Sequence, residues 1–586
     1  MNQLTETLGK KRAAHLLRRA CSGASIAQID EFANLTPQQA VQRLFDNDLP
    51  TPPLPIDPAT GMEWITGGPT DANEDSNLDA LLNQWMVGQM LAIDVPAEKQ
   101  LAYSLRERLV FFLHTHFTTK RSVVRSTQAI YYQNALFRIF AFDKDDVTIT
   151  NPDPTLPNTV YERSFRKLTE KISVENAMLV FLDGRLNVRG RPNENFAREL
   201  LELYSVGRGL EGSKPEPEFE GDYFHFTEED VQEGARVLSG FDVDDNFLNI
   251  DEETGLPRGV IKGNTVAAQH DNGTKVFSQR LGGESVSPNA DLLVNGNPVE
   301  ESLLDEVAQL VALIYRQDET ARHICRKIYR FFVYHNISDE LQNDIIQEMA
   351  DVFTANNFKL QPVLETLFAS QHFYDADGGP QDNNFGGLIK SPLDLTLGFV
   401  KNFEITVPSY ATDPVSFYQF VGDLMSSLGR MGMDFYEPFE VAGYSSYHQF
   451  PIYNRSWITT NYLTQRYNFI RDRISIEAPM MGQVNIYDFV KANIPDSEAS
   501  DTRLLVIALA EYFLPVSADL SYTEADSELT AERLNYFRSQ ILFDGSADPE
   551  TYWTERWATV PDLGDITQQL SNLINAMLQS PEYQLM

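Results

Sequence analysis

The sequence predicts a mainly α-helical fold, a large multi-helix globular architecture with a small β-rich insert near residues 240–300. Three observations carry that expectation. Apolar residues recur at i, i+3, i+4 and i+7 along most of the 586 residues. Hydrophobic side chains make up 42% and aromatic ones 11%, enough to fill a large core beneath amphipathic helices. Between 240 and 300 the helical period is lost and turn signals take its place.

The elements follow in chain order. The opening segment around Lys10-Lys11-Arg12 reads as a basic amphipathic helix with Ala13, Leu16 and Leu17 inward. Further helices are expected near 78–93, 98–118, 126–141, 159–182, 193–206, 227–238, 301–316, 318–336 and 339–354. The second half continues near 360–370, 391–403, 414–431, 455–475, 502–514, 530–542 and 565–579. Residues 50–75, which are Pro-rich at their start, and residues 209–222 read as extended surface loops. Within the insert, Glu253-Thr254-Gly255, Asp271-Asn272-Gly273 and Asn295-Gly296-Asn297 mark hairpin turns. Residues 375–387 are the best linker. They divide an N-terminal helical region, 1–375, from a C-terminal helical region, 388–586, packed on it; one continuous domain is the alternative.

Composition narrows the function. A net charge of −37 repels phosphate, so no nucleic-acid partner is expected. Two cysteines, Cys21 and Cys325, make neither a disulfide scaffold nor a four-thiolate zinc site. No run approaches 18 apolar residues, so no transmembrane segment is expected. Basic residues near the start, Arg18-Arg19 among them, are followed by no apolar run, which reads as no export signal and a cytoplasmic chain. Charge is uneven, with a net of −13 over 211–255 and +5 over 101–138. Such runs are solvated faces, or segments that meet in the fold.

The segment Arg191-Pro-Asn-Glu-Asn-Phe-Ala-Arg-Glu-Leu-Leu-Glu-Leu-Tyr204 is the most informative. Asn193 is placed to cap a helix in which Phe196, Leu200 and Leu203 form a core stripe. Asn195, Glu199 and Glu202 share another face, and two carboxylates one turn apart can hold a metal or divide acid and base roles. The plainer alternative is a surface face with an Arg198–Glu202 ion pair. On the 98–118 helix, His116 falls on the apolar stripe of Leu105, Leu109 and Phe112, while His114 lies about 200° round and cannot share a metal with it. Gln269-His270-Asp271-Asn272-Gly273-Thr274-Lys275 sets His and Asp at a tight turn beside Lys, where metal ligation, acid–base work and an Asx turn all fit. Asp242, Asp244, Asn246 and Glu253 stand at positions 1, 3, 5 and 12 of a calcium loop, although position 6 is Phe247 instead of Gly. No short signature of a zinc protease, a serine hydrolase, a P-loop or a dinucleotide fold is present.

A set of segments in fixed order identifies a resemblance. Ala14-His-Leu-Leu-Arg-Arg19, Arg106-Glu-Arg108, His114-x-His116-Phe117, Pro192-Asn-Glu-Asn-Phe-Ala-Arg-Glu-Leu-Leu-Glu-Leu203, Leu238-Ser-Gly-Phe241, His270-Asp271 with Gly273-x-Lys275, and Lys390-Ser-Pro392 together resemble the large bacterial family catalogued as domain of unknown function 1800. The resemblance implies one largely helical architecture over nearly the whole chain and names no activity. It also implies a neighbouring partner, an exported sulfatase/phosphatase-like protein of the family catalogued as domain of unknown function 1501.

Two functions are therefore expected in competition. One is a metal-assisted hydrolytic enzyme whose site joins the three polar motifs. There Glu199, Glu202, His270 and Asp271 would be catalytic, and His116, Glu199, Glu202 and His270 would hold zinc, iron or manganese. The other is a non-catalytic helical scaffold or escort that leaves the cytoplasm only with its partner.

Overall fold

The computed structural model describes all residues except 67–71, 152–156, 215, 379–383, 475–481, 525–527, 543–544 and 560–562. Helices dominate it, and strands occur only as short antiparallel pairs among the described residues. Those that matter for the site are α1 (Gly9–Cys21), α2 (Gln100–His116), α3 (Asn195–Glu199), α4 (Glu228–Val237), α5 (Glu300–Tyr315), α6 (Asp318–Phe332) and α7 (Pro392–Asn402). Local chemistry sets their ends. The Thr227 hydroxyl accepts from the Asp230 N–H while Asp230 accepts from the Thr227 N–H, and Ser391 and Asp394 do the same for α7.

The expected long helix over 159–182 is divided. Thr159–Tyr161 is a strand paired with Val147–Ile149, and helices follow at Phe165–Ile172 and Asn176–Phe181. The Glu175 carboxylate accepts from the N–H groups of Ala177 and Met178, so it caps a new helix instead of continuing the old one. The insert near 240–300 holds two strand pairs, Phe241–Asp242 with Val260–Ile261 and Lys275–Val276 with Ser285–Val286. Between them the backbone is turns. Among the described residues, helices outside the expected ranges include Ile26–Ala33, Pro37–Leu44, Ile486–Asn493 and Pro549–Thr559, with single turns at Arg121–Val124, Ser445–His448 and Asp496–Ala499.

Helix α1 buries more than its apolar stripe. Ala13, Leu16 and Leu17 are fully enclosed, and so is Arg19. Its guanidinium donates to the carbonyls of Val333 and Asn384, which replaces the lost hydration of the charge. The N-terminal strand residue Gln3 bridges to Ser370, and Ile389 bridges to Leu585. An enclosed Arg108–Asp394 ion pair joins α2 to α7, and the helix Ala72–Met90 packs on Pro414–Arg430. One connected cluster of buried apolar residues runs through these contacts, from Leu4 to Tyr583. The expected linker at 375–387 falls partly on 379–383, outside the described residues, as does part of the 50–75 loop. Among the described residues no helix is long and apolar enough to cross a membrane.

Among the described residues the basic and acidic segments make no ion pair with each other. Arg106 and Arg138 both hold the buried Glu107, Arg108 holds Asp394, and Arg121 holds Asp79, Asp434 and Glu437. In the acidic segment, Glu211 meets Arg330, Glu228 meets Arg198, and Asp251 meets Lys171 and Arg258.

Candidate functional site

The polar face of the Asn193–Tyr204 segment is shaped by a change of helix type. Asn193 accepts from the Asn195 N–H, and α3 then runs to Glu199 before widening into a π-turn, Leu200–Tyr204. A π-turn takes i→i+5 bonds and so adds a residue to the turn. The buried stripe shifts accordingly. Phe196 and Leu200 are enclosed as expected, but Leu201 and Tyr204 follow them inward, and Leu203 is only partly covered.

A helix end leaves carbonyls without intrahelical partners, and here other segments supply them. The Leu200 carbonyl accepts from the Ser205 hydroxyl at 2.5 Å, and that of Leu201 from the Gly207 N–H at 2.8 Å. The Leu203 carbonyl accepts from His323 Nε2 at 3.1 Å and from Lys327 Nζ at 2.6 Å. The Tyr204 carbonyl accepts from His116 Nε2 at 2.9 Å. A carbonyl only accepts, so both rings carry their hydrogen on Nε2. Gly207, with φ +71°, makes room for this arrangement, since a Cβ there would lie 2.3 Å from His323 Nδ1. Gly207→Ala is expected to cost about 1–2 kcal/mol in the left-handed backbone and a further ~1–3 kcal/mol in packing, seen as a lowered melting temperature.

Glu199 and Glu202 stay together on the half-buried side of this turn. Loss of hydration, with the Glu202 charge beside it, pushes the Glu199 carboxyl up to about 7 against the pull of Arg198, Arg208 and Lys327. Lys327 moves the other way. Loss of hydration brings its ammonium down to about 7, opposed by Glu211 and Glu199 and assisted by Arg330. A carboxyl and an ammonium are thus drawn toward neutral pH from opposite sides, each within the other's field. Around them stand Glu202 on Arg208 at 2.6 Å and Glu211 on Arg330. Tyr453 lies over the Arg330 guanidinium at 5.1 Å in a left-handed backbone, φ +44°. A bulky residue held there stores strain of the kind concentrated at functional sites. Arg198 is not the partner of Glu202. It holds Glu228 at 2.6 Å, with Glu194 and the Tyr223 hydroxyl, so it ties α3 to α4.

His116 is enclosed, edge-on to Phe117 and Phe165, and burial beside Lys327 holds it neutral, well below its ordinary range. His114 stacks on Tyr436 at 3.7 Å, also buried and neutral.

The His270 turn belongs elsewhere. His270 Nε2 meets Glu306 Oε1 at 3.1 Å, its Nδ1 meets the Ser239 carbonyl at 2.8 Å, and Lys275 Nζ closes an ion pair with Glu306. All three side chains are fully buried. Asp271 accepts from the Gly273 N–H in an Asx turn and pairs with Arg236 at 2.9 Å, which brings its carboxyl down to about 2. Helix α4 separates the two places. Gly234 faces Ala197 of α3, whereas Arg236 holds Asp271. Residues two apart point about 200° from each other on a helix. The expected meeting of His116, Glu199, Glu202 and His270 on one metal is therefore not what the fold builds. Among the described residues no group of three or more His, Cys, Asp and Glu side chains is arranged to hold a metal ion.

The family model described as Protein of unknown function (DUF1800) matches residues 15–585. The chain belongs to this family. Comparisons with curated proteins and with solved structures give no match. The segments that carried the resemblance now have places in this family member. Arg19 and Arg108 are buried among structural partners, Lys390 is buried against the Tyr583 ring, Leu238–Phe241 receives His270, and the Asn193–Tyr204 segment makes the π-turn.

The expected calcium loop is not assembled. The Asp244 carboxylate accepts from the N–H groups of Asn246, Leu248 and Asn249, Asp242 pairs with Lys262, and Glu253 pairs with Lys171. Each ligand is spent on a turn or on a cation, and Asn246 faces solvent. Asp244→Ala should lower the melting temperature by the same amount with and without calcium, since it removes the side-chain acceptor of three backbone N–H groups, each bond worth about 1 kcal/mol.

Four residues of the site were not read from sequence: His323, Lys327, Arg330 and Arg208. The available signal was a basic side chain at 323, 326, 327 and 330 on a helix whose apolar residues, Ile324, Ile328, Phe331 and Phe332, are enclosed.

Proposed function

We propose that the chain is a hydrolytic enzyme in which Glu199 acts as general base and Lys327 as general acid. One observation carries this reading: two largely buried groups of opposite type are both brought to about 7 at one helix end. That is where a general base and a general acid work best at neutral pH. The Glu199 carboxylate takes the proton of the attacking water. The Lys327 ammonium donates its proton to the leaving group, and Arg208 and Arg330 offer hydrogen bonds to a developing oxyanion. The metal-assisted form of this reading finds no support in the donors, because His116 Nε2 serves the Tyr204 carbonyl and His270 serves Glu306.

The test is a panel of chromogenic esters, amides, phosphoesters and glycosides, assayed with the unmodified chain and with Glu199→Gln. Turnover lost in the variant supports the reading, and turnover that survives it in full overturns it.

The escort reading rests on a different feature, the exposed apolar side chains of Phe439 and Phe450. It predicts that an extracytoplasmic pool of the chain disappears when the gene of the sulfatase/phosphatase-like neighbour is deleted. A pool that persists would count against it.

A further inference from the structure

Helices Pro37–Leu44 and Leu360–Phe368 pack together, and Gln3 is held beside them by its bridge to Ser370. Between these segments and the chain at 144–145 lies a cavity of about 540 Å³, inside the ~300–1,000 Å³ range of small-molecule sites. Five of its side chains are amides: Gln3, Gln38, Gln42, Asn47 and Gln361. They come from separate stretches of sequence, so no helical repeat accounts for their meeting. Val41, Phe45 and Ala369, all buried, supply the apolar part of the wall.

Much of the hydrogen-bonding capacity of this wall is unused. Gln361 is 1% exposed; its Nε2 donates to Glu365 Oε1 at 2.8 Å, and its Oε1 accepts from no described residue. A buried acceptor without a donor calls for one from water or a ligand. Gln38 Nε2 is spent on Gln3 Oε1 at 3.2 Å and on the Leu4 carbonyl at 3.0 Å, which leaves Gln38 Oε1 to accept and Gln3 Nε2 to donate. Gln42, which is exposed, offers both.

Charge is nearly cancelled. Both Glu365 oxygens accept from Lys144 Nζ at 3.0 Å, and the exposed Asp145, which accepts from Asn47 Nδ2 at 3.4 Å, is the remaining carboxylate. A single carboxylate does not make a cation site, and on a chain of −37 it turns anions away. The wall suits a neutral molecule whose groups donate and accept at once around an apolar framework. Sugar hydroxyls do both, and the C–H faces of a pyranose ring fit against Val41 and the Phe45 ring.

We propose that this cavity binds a neutral saccharide. Its ring lies on the apolar side, and its hydroxyls donate to Gln361 Oε1, Gln38 Oε1 and Asp145 while accepting from Gln3 and Gln42. The proposal stands whether or not Glu199 and Lys327 turn over a substrate, since it uses none of the residues at the π-turn.

Calorimetric titration of the full chain tests it, with maltotriose, cellotriose, mannotriose and triacetylchitotriose as neutral probes. Trigalacturonate, the glucosamine trimer and N-acetyl-trialanine amide serve as anionic, cationic and peptide controls. At least one neutral trisaccharide is expected to bind with a Kd of about 1 mM or below, unchanged as salt is raised. Gln42→Ala/Asp145→Ala, at exposed positions, should leave the melting temperature in place and weaken that binding by about 30-fold or more. Gln361→Met, which removes the orphaned oxygen, should weaken it by about 5-fold. No binding of any neutral trisaccharide at ~10 mM would overturn the proposal. So would full affinity in the Gln42→Ala/Asp145→Ala variant, or a control that binds as tightly as the best neutral probe.

Discussion

Glu306→Ala is expected to destabilise the fold by about 3–5 kcal/mol, because it strands the buried Lys275 and His270 without the carboxylate they share. The pH dependence has a definite sign. Burial already draws the Lys275 ammonium below its ordinary value, and Glu306 opposes that shift. Without Glu306 the folded chain gives up this proton at still lower pH, while the unfolded chain keeps it to about 10.4. The unfolded state then binds more protons between those two values, so the stability of the variant rises with pH across that window. Glu306→Leu combined with Lys275→Met removes both charges and should recover much of the loss. Denaturant melts at pH 7 and pH 9 check this. A variant as stable as the parent would show that the His270 turn is not the structural knot described.

Glu199→Gln should reduce turnover by about 10²–10⁴-fold with little change in stability, the cost of losing a general base. The pH profile of the parent should be a bell. Its acid limb rises through about 7 as Glu199 loses its proton, and its alkaline limb falls as Lys327 loses its own. Lys327→Arg keeps the charge but cannot give up a proton near neutrality, so turnover should fall by about 10²–10⁴-fold as a general acid is lost, and the residual activity should keep the acid limb without the alkaline one. A purely structural Lys327 would give the same two limbs in both proteins. Steady-state kinetics on any substrate found in the panel decides between them.

Much of the helical frame was legible because burial selects a 3.6-residue period over long stretches, as in Gln100–His116 and Pro414–Arg430. The helices Ile26–Ala33 and Pro37–Leu44 escaped because eight residues are too few to show a period. Their starts were nonetheless written as Ser25-x-x-Gln28 and Thr36-Pro37-x-Gln39, both capping boxes. The π-turn was not legible, since any reading at a fixed 3.6 period sends Leu203 inward in place of Leu201 and Tyr204. The His-Asp turn was visible as chemistry but not as location. Its decisive partner, Glu306, lies outside every motif read from the sequence. It sits between Leu303 and Leu310 on the buried side of α5, and a carboxylate on an apolar stripe is the mark of a buried pair. Lys327 was missed because the carbonyl it serves, Leu203, is 124 residues away and is freed only by the widened turn.

A direct titration of the Glu199 carboxyl tests the acid–base site at the π-turn. The chain labelled with ¹³C at glutamate side-chain carboxyls, compared with the same label in Glu199→Gln, isolates one resonance by difference. That resonance is predicted to titrate with a midpoint near 7 and to shift downward in Glu202→Gln, which removes the neighbouring negative charge. A midpoint at the ordinary glutamate value of about 4.3, unmoved by Glu202→Gln, would contradict the proton-transfer site at the π-turn.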